Sequence, residues 1–172
     1  MSGSIVLTVV SDDHPGIVGT LSEVIVDHDG NWTESSMMSL AGKFAGILLV
    51  QVPEQRVTSF ISSLEALESE GLQIVAQRSH VSATADATCE YSIDLVGQDR
   101  PRIVREITEI LAKHDVNVQE LETTVQSASM SGESLFMAHA RIFVPAEANL
   151  ENLQSDLEEL ANELMVDIEL EA

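Results

Sequence analysis

The chain has one cysteine, few basic residues and no long apolar run. Cys89 cannot form an intramolecular disulfide bond, and a single thiolate cannot build a cysteine-ligated metal site. No apolar segment approaches the roughly 20 residues that a membrane helix requires. The N-terminus has no basic region followed by a signal-like apolar core. We therefore expect a cytoplasmic protein without membrane association.

Basic residues number 8 against 29 acidic residues, which gives a net charge of −21. A polyanion repels phosphate, so we expect no direct binding to nucleic acid. From residue 142 to residue 172 the chain contains no Lys or Arg. This acidic stretch has two interpretations: a solvated face, as in adaptation to high salt, or a docking surface for a basic partner. Its acidic residues are Glu147, Glu151, Asp156, Glu158, Glu159, Glu163, Asp167, Glu169 and Glu171.

The chain does contain an internal duplication. The segment Asp13-His-Pro15-Gly-Ile17-Val18 returns as Asp99-Arg-Pro101-Arg-Ile103-Val104, at an offset of 86 residues. The same offset relates His28-Asp29 to His114-Asp115, so the match extends well beyond one motif. Later in the chain the offset grows to 92 residues, which places six extra residues near 127–133 in the second copy. We expect this insertion to lengthen a hairpin and to leave the core unchanged.

Each copy shows strand and helix patterns in the order βαββαβ. In the first copy a strand pattern at 5–10 is followed by the helical apolar spacing of 17–25, and Pro15 suits the first position of that helix. The continuous apolar run at 47–50 predicts a central strand. Right-handed crossovers then give a four-stranded antiparallel sheet with two helices on one face. The sequence therefore predicts an α+β protein with two tandem ferredoxin-like domains, residues 1–83 and 89–172, joined by a linker at 84–88.

The opening of each copy resembles that of ACT domains, the small regulatory modules that bind amino acids. The resemblance rests on Asp13-His-Pro15-Gly16-Ile17-Val18, an amphipathic helix, His28-Asp29-Gly30-Asn31 and Glu34 in the next strand. Because both copies fit, it covers nearly the whole chain. Two such domains together resemble the glycine cleavage system transcriptional repressor family. The same opening occurs in domains attached to formyltetrahydrofolate deformylases and some phosphoserine phosphatases, which also carry a catalytic domain.

The turn between the first strand and the first helix is the candidate ligand site. A helix that begins at Pro15 directs its first N–H groups toward this turn, where they favour a carboxylate. Asp13 would meet an ammonium group, and Gly16 permits close approach to the backbone. The alternative is that Asp12 or Asp13 only caps the helix. The predicted ligand-binding residues are Asp12, Asp13, His14, Pro15, Gly16, Ile17, Val18 and Asn31 in the first copy and Asp99, Arg100, Arg102, Ile103 and Asn117 in the second.

The second copy departs from this pattern in its side chains. Arg102 stands in the place of Gly16, and Arg100 stands in the place of His14. Together with Arg105, they put three of the six arginines at the N-terminal end of a helix, where the macrodipole disfavours cations. Three interpretations stay open. The arginines bind a ligand carboxylate, bind acidic side chains of a partner, or form salt bridges with acids of this chain.

Other conspicuous side chains favour structural roles. His28 and His114 lie where a helix ends, and we expect them to cap free carbonyl groups. Neither has a cysteine or a second histidine at metal-ligand spacing. Trp32 and the pair Met37-Met38 are expected to pack against the core. The chain has no Gly-x-Ser-x-Gly elbow, Gly-rich phosphate loop or paired zinc motif, so we expect no catalysis, metal or cofactor.

The sequence thus predicts a non-enzymatic regulatory protein that binds a small amino acid, with glycine as a candidate effector. The resemblance implies that it modulates transcription through a DNA-binding transcription factor as its protein partner, without touching DNA itself. We also expect a homo-oligomer. Two alternatives remain: an amino-acid sensor subunit that regulates a metabolic enzyme, and a stand-alone hydrolase or transferase.

Overall fold

The computed structural model describes residues 2–79, 88–127 and 133–172, which belong to two compact units. The first unit spans residues 1–82 and the second spans residues 83–172. Of the linker expected at 84–88, only Thr88 lies within the described residues, where it is the first residue of a strand. Most of the insertion near 127–133 also lies outside the described residues.

The first unit has the predicted order βαββαβ. Its antiparallel sheet has the strand order β2-β3-β1-β4, so the apolar run at 47–50 lies in a central strand, as predicted. Short 3-10 turns at Glu54–Arg56 and Leu67–Glu70 flank the second helix. The elements are β1 (Ser2–Asp12), α1 (Ile17–Asp27), β2 (Asn31–Leu40), β3 (Lys43–Pro53), α2 (Val57–Ala66) and β4 (Gln73–Arg78).

The second unit repeats this arrangement with the strand order β6-β7-β5-β8. The prediction of two ferredoxin-like βαββαβ folds is therefore confirmed. Cys89 lies near the start of a strand and is exposed. The elements are β5 (Thr88–Gln98), α3 (Ile103–Lys113), β6 (Asn117–Ser127), β7 (Ser134–Pro145), α4 (Leu150–Leu164) and β8 (Asp167–Glu171).

Each unit has its own apolar core between the two helices and one face of the sheet. In β1 the side chains of Ile5, Leu7 and Val9 are completely buried, while the residues between them point to the other face. Alternation of this kind is what places every second residue of a strand on the same side. In α1 the buried residues Leu21 and Ile25 are one helical turn apart.

The core of the second unit leaves a small space next to its sheet. A small apolar cavity of about 30 Å³ lies between α3 and the sheet of the second unit. Val118 and Ala140 line it, and the first copy has the larger Trp32 and Leu48 at the corresponding positions. A cavity of this size is close to the smallest that holds one water molecule, so it is a packing difference and not a ligand pocket.

Both α1 and α3 begin two residues later than the sequence suggested. Pro15 lies in the turn and not at the first helical position. The N-cap residues are Gly16 and Arg102, and both have left-handed backbone conformations, with φ of 99° and 81°. The chain therefore makes one further bend between the proline and the helix, which an N-terminal proline pattern does not reveal.

The same helices end alike in the two units. Asp29 and Asp115 take the left-handed conformation just beyond the helix, with φ of 56° and 55°. The N–H of Gly30 then donates to the carbonyl of Ile25 at 2.8 Å. This bond satisfies one of the carbonyls that a helix C-terminus leaves unpaired, and it turns the chain into the next strand.

Candidate ligand site

The turn that enters α1 exposes the start of a helix without a side-chain cap. The first helical hydrogen bond runs from the N–H of Thr20 to the carbonyl of Gly16 at 2.9 Å. The N–H groups of Ile17, Val18 and Gly19 precede that bond, and no side chain makes a capping hydrogen bond. The first turn of α1 also contains no acidic residue. The positive end of this helix is thus left for a partner outside the helix.

The two aspartates before the turn are occupied in different ways. Asp12 forms a salt bridge with Lys43, and the hydrogen bond and charge of that lysine lower the pKa of Asp12. Asp13 is held by the β2–β3 hairpin: its N–H donates to the carbonyl of Gly42 at 3.0 Å, and Ser39 Oγ donates to Asp13 Oδ2 at 2.5 Å. Since neither aspartate caps α1, the alternative of a simple helix cap is wrong for this turn.

The second turn repeats the backbone of the first. The N–H of Asp99 donates to the carbonyl of Ser134 at 2.9 Å, which again ties the turn to the tip of the neighbouring hairpin. The N–H of Glu106 donates to the carbonyl of Arg102 at 3.0 Å, so α3 starts as α1 does and also has no side-chain cap. The backbone part of the candidate site is therefore present twice.

The side chains around the second turn are chemically different. Of its arginines, Arg105 forms a salt bridge with Glu109 at 2.6 Å, one helical turn along α3. Arg100 Nη2 donates to Gln98 Oε1 at 3.4 Å. Hence the charge of Arg105 is compensated by an acidic residue of the same chain. Arg102 is the N-cap residue of α3. The first turn presents carboxylates and a lysine, and the second presents guanidinium groups.

The structure does not bring Asn31 and Asn117 to these turns within their own units. Asn31 pairs with Gln51 in β3, whereas Asp12 pairs with Lys43 at the other end of that strand. Eight residues of strand separate the two positions, which corresponds to roughly 27 Å. Asn117 is displaced from the second turn in the same way. These asparagines cannot contact a ligand that lies at the turn of the same unit.

The two histidines at helix ends have separate roles. His28 Nδ1 donates to the carbonyl of Val24 at 2.8 Å, which confirms the capping role, and its Nε2 lies 3.2 Å from Ser63 Oγ. For His114 the structure shows a different contact: its Nε2 lies 2.8 Å from Asp156 Oδ2 and links α3 to α4, while the capping of carbonyl groups stays a prediction. Hydrogen bonds from Lys113 and His114 lower the pKa of Asp156.

Strand β2 carries the tryptophan and the methionine pair for which the sequence predicts packing. Trp32 and Met37 pack against the core of the first unit, as predicted. Met38 does not, because the strand alternation turns its side chain to the opposite face, where it is 54% exposed.

Within the described part of the chain, no His, Cys, Asp and Glu side chains form a group of three that could hold a metal ion. No helix among the described residues is long and apolar enough to cross a membrane.

Sequence reasoning missed the contribution of the hairpin to the turn. Ser39, Gly42 and Lys43 all contact Asp12 or Asp13, although they lie 26 or more residues further along the chain. Only the pairing of β1 with β3 brings them together. The available signal was the tight turn at Ala41-Gly42, which indicates a hairpin tip but not which loop it contacts.

The comparison with protein families decides the assignment of this fold. The model of the ACT domain matches residues 4–77 and 92–171. The chain belongs to the ACT domain family. It is 24% identical over 161 residues to the glycine cleavage system transcriptional repressor of Escherichia coli (strain K12), with 93% of this chain and 85% of that protein covered. The protein of the same name from Shigella flexneri matches to the same extent.

Solved structures agree with this tandem ACT arrangement. A protein of unknown function from Galdieria sulphuraria is 31% identical, with a TM-score of 0.85, and the match covers 99% of this chain and 98% of that chain. A protein provisionally named a glycine cleavage system transcriptional repressor is 18% identical, with a TM-score of 0.69 and coverage of 99% and 96%. At that identity the second match shows the shared fold.

Proposed function

We propose that this ACT protein is a non-enzymatic regulator that binds a small amino acid at the turn before α1 and controls transcription through a DNA-binding protein partner. The observation that carries the proposal is the uncapped, left-handed entrance to α1, held against a hairpin that also positions Asp13. This entrance offers N–H groups to a carboxylate and, a few residues away, a carboxylate to an ammonium group.

Among the α-helices of the described residues, α1, α2 and α3 have no side-chain cap, so what distinguishes α1 and α3 is the left-handed conformation of their N-cap residues and not the missing cap alone. The N-terminus of α4 has an ordinary cap, in which Asn149 Oδ1 accepts a hydrogen bond from the N–H of Asn152 at 3.0 Å. A capping side chain at Gly16 or Arg102 would compete with a ligand carboxylate for the same donors. Both positions instead have a left-handed backbone conformation and make no side-chain capping hydrogen bond.

Of the two aspartates, Asp13 suits an ammonium group better than Asp12. The salt bridge to Lys43 already compensates the charge of Asp12. Asp13 receives a hydroxyl hydrogen bond from Ser39 on one oxygen, which orients the carboxylate without neutralising it. An α-amino acid carries its ammonium and carboxylate groups on the same carbon, so we propose that Asp13 and the N–H groups of α1 bind these two groups together.

The turn favours a small amino acid such as glycine. The residues from Asp12 to Gly16 are exposed, and nothing lies within 4 Å of the position that a Cβ of Gly16 would occupy. The site therefore contacts the charged groups of the ligand and provides no apolar pocket for a side chain. Similarity to glycine cleavage system transcriptional repressors supports the same choice.

A protein partner is needed for an effect on transcription. The net charge of −21 opposes binding to DNA, since phosphates repel acidic side chains. We propose a DNA-binding transcription factor as this partner, in line with the name of the curated relatives. We also propose that the protein is a cytoplasmic homo-oligomer.

Calorimetric titration with glycine, serine and valine tests the ligand. We expect saturable binding of glycine and no tighter binding of serine or valine, because the turn has no apolar pocket that would stabilise a larger side chain. Absence of binding by all three would contradict the ligand part of the proposal.

Electrophoretic mobility shift with the purified protein and duplex DNA at physiological salt tests the mode of action. We expect no shift at micromolar concentration. Salt-dependent binding to bare DNA would overturn the partner model, and co-purification with a metabolic enzyme in place of a transcription factor would favour a sensor subunit.

A further inference from the structure

The sheet of the first unit has one face that its own helices do not cover. We call this the uncovered face. We define it by three successive rows on that side of β2, β3, β1 and β4, taken from the strand register. The rows are Met38-Ala45-Val10-Gln73, Ser36-Ile47-Thr8-Val75 and Glu34-Leu49-Val6-Gln77.

The uncovered face is apolar and almost uncharged. Within these three rows Glu34 is the single ionisable side chain, and it lies in the edge strand β2. The next row on the same side of the sheet, Leu40-Lys43-Asp12, carries the salt bridge between Lys43 and Asp12. At the centre of the face, Ile47 is 52% exposed and Val75 in the other edge strand is 58% exposed. In a chain with a net charge of −21, a contiguous face with one charge is a marked departure from the average surface.

The second unit shows that this fold does not require an apolar face. At the positions of Thr8 and Val75, the repeat has Asp94 and Glu169, and His139 stands at the position of Ile47. The twelve corresponding positions of the second unit include six carboxylates, from Asp94, Glu120, Glu122, Asp167, Glu169 and Glu171. The same topology is thus built once with a charged face and once with an apolar face.

We propose that the uncovered face of the first unit binds the uncovered face of a second copy of this chain. Two sheets pack face to face at about 10 Å with their strands rotated by about 30°, and two identical twisted sheets meet this condition by a twofold axis. The axis would pass near Ile47 and Thr8, so the apolar centres meet and Glu34 stays at the rim.

Charge favours a second copy over another kind of partner. A basic partner is attracted to carboxylates, and apart from that of Glu34 these lie outside the uncovered face. Two copies repel one another through their net charge everywhere except where they present uncharged surfaces. The uncovered face is such a surface, and in a symmetric dimer its apolar residues meet apolar residues.

The area of the uncovered face sets the affinity that we expect for the dimer. Twelve residues on one side of a sheet occupy about 400 Å² of its plane, from the strand spacing and the rise per residue. A stable interface buries about 800 Å² per partner, so we expect a weak dimer that dissociates in the micromolar range. Added salt should strengthen it, because salt screens the repulsion between the two acidic chains.

Sedimentation equilibrium of the full chain without amino acid tests the proposal. We expect the average mass to rise with concentration from the 18.6 kDa of one chain toward twice that value. Val75→Glu copies the residue of the second unit and should weaken the dimer at least tenfold. Because the measurement needs no ligand, its outcome is independent of the proposed amino-acid site.

Val26→Glu provides the matched control. Val26 is 66% exposed on α1, so this variant adds the same charge to an exposed valine outside the uncovered face. It should dimerise like the wild type. A monomeric wild type at all concentrations and salt levels, a dimer unaffected by Val75→Glu, or equal loss in both variants would each overturn the proposal.

A cysteine variant tests the same arrangement independently, in case Val75→Glu does not fold. In a Cys89→Ser background, Thr8→Cys places one thiol near the proposed twofold axis. Mild oxidation should then give a covalent dimer, whereas Val26→Cys in the same background should not. A disulfide dimer that forms equally from both variants would contradict the face-to-face arrangement.

Discussion

Gly16 and Arg102 occupy the same place in the two repeats and share the same left-handed backbone, with φ of 99° and 81°. An L-residue in this conformation costs about 1 kcal/mol relative to glycine. The second repeat bears this cost at Arg102, and the first avoids it with Gly16. The turn therefore requires the left-handed bend but does not require a particular side chain. Substitutions at this position can therefore distinguish the backbone conformation that the turn requires from the open helix start that a ligand would require.

Gly16→Arg should abolish amino-acid binding to the first turn and leave the fold intact. The arginine side chain would cover the N–H groups of Ile17 and Val18, and its backbone is tolerated because Arg102 already adopts it. We expect a loss of about 1 kcal/mol in the free energy of unfolding. Calorimetry measures the binding, and denaturation followed by Trp32 fluorescence measures the stability of the first unit.

Gly16→Ala is the control for that variant. It introduces the same backbone strain but adds only a methyl group, and nothing lies within 4 Å of that methyl position. Binding should persist in Gly16→Ala with a similar loss of stability. If the wild type binds and Gly16→Arg binds equally well, the ligand does not lie at the first turn.

Asp13→Asn should weaken amino-acid binding by about 1.5–3 kcal/mol, the usual contribution of a hydrogen bond to a charged group. The amide keeps the shape of Asp13 and can still accept the hydrogen bond from Ser39, so the turn should stay in place. Asp12→Asn is the matched comparison, because Lys43 rather than the ligand compensates Asp12. Equal affinities for the Asp13 variant and the wild type would remove Asp13 from the site.

The fold could be predicted from the sequence because both copies carry the same periodic patterns. Ile17, Leu21 and Ile25 follow helical spacing and are all buried. The continuous apolar run at 47–50 predicts a central strand, and β3 lies in the interior of the sheet. Such patterns depend on neighbours within one element, and for that reason they can be recognised without knowing the tertiary structure.

The site could be predicted only where it depends on local backbone. The repeated turn was found because its residues are consecutive, but the start of α1 was misplaced, since Pro15 suits a helix start and a preceding turn equally well. Asn31 was assigned to the site by resemblance, and the sheet register places it at the far end of β3. Contacts of Ser39 and Lys43 with the turn require that register, which the sequence of one strand does not contain.

The pKa of His139 should lie above its ordinary value of 6.5 in the folded protein. The hydrogen bond from His139 Nδ1 to Asp94 at 2.8 Å is the main cause, followed by the charge of Asp94 and those of Glu122 and Glu120. A pKa raised by folding stabilises the protein below pH 6.5, and that stabilisation is lost as the pH rises through the raised value.

An NMR titration of the imidazole protons measures this pKa directly. In Asp94→Asn it should move back toward 6.5, since the negative charge and the charge-assisted hydrogen bond are removed. His139→Gln should remove the accompanying fall in stability with rising pH. A pKa of His139 at or below 6.5 in the wild type would show that the ion pair does not form in solution.

Met165→Gly should stabilise the second unit by about 1 kcal/mol, and Gly71→Met should destabilise the first by about the same amount. Met165 and Gly71 both follow the second helix of their unit with left-handed backbones, at φ of 53° and 87°. Met165 is 74% exposed, so its replacement loses little buried area.

Denaturant unfolding can follow the two units separately, because the single tryptophan, Trp32, lies in the first and the single tyrosine, Tyr91, lies in the second. Tyr91 fluorescence in a Trp32→Phe background follows the second unit, and a lower midpoint for Met165→Gly would show that the methionine side chain contributes more than its backbone conformation costs.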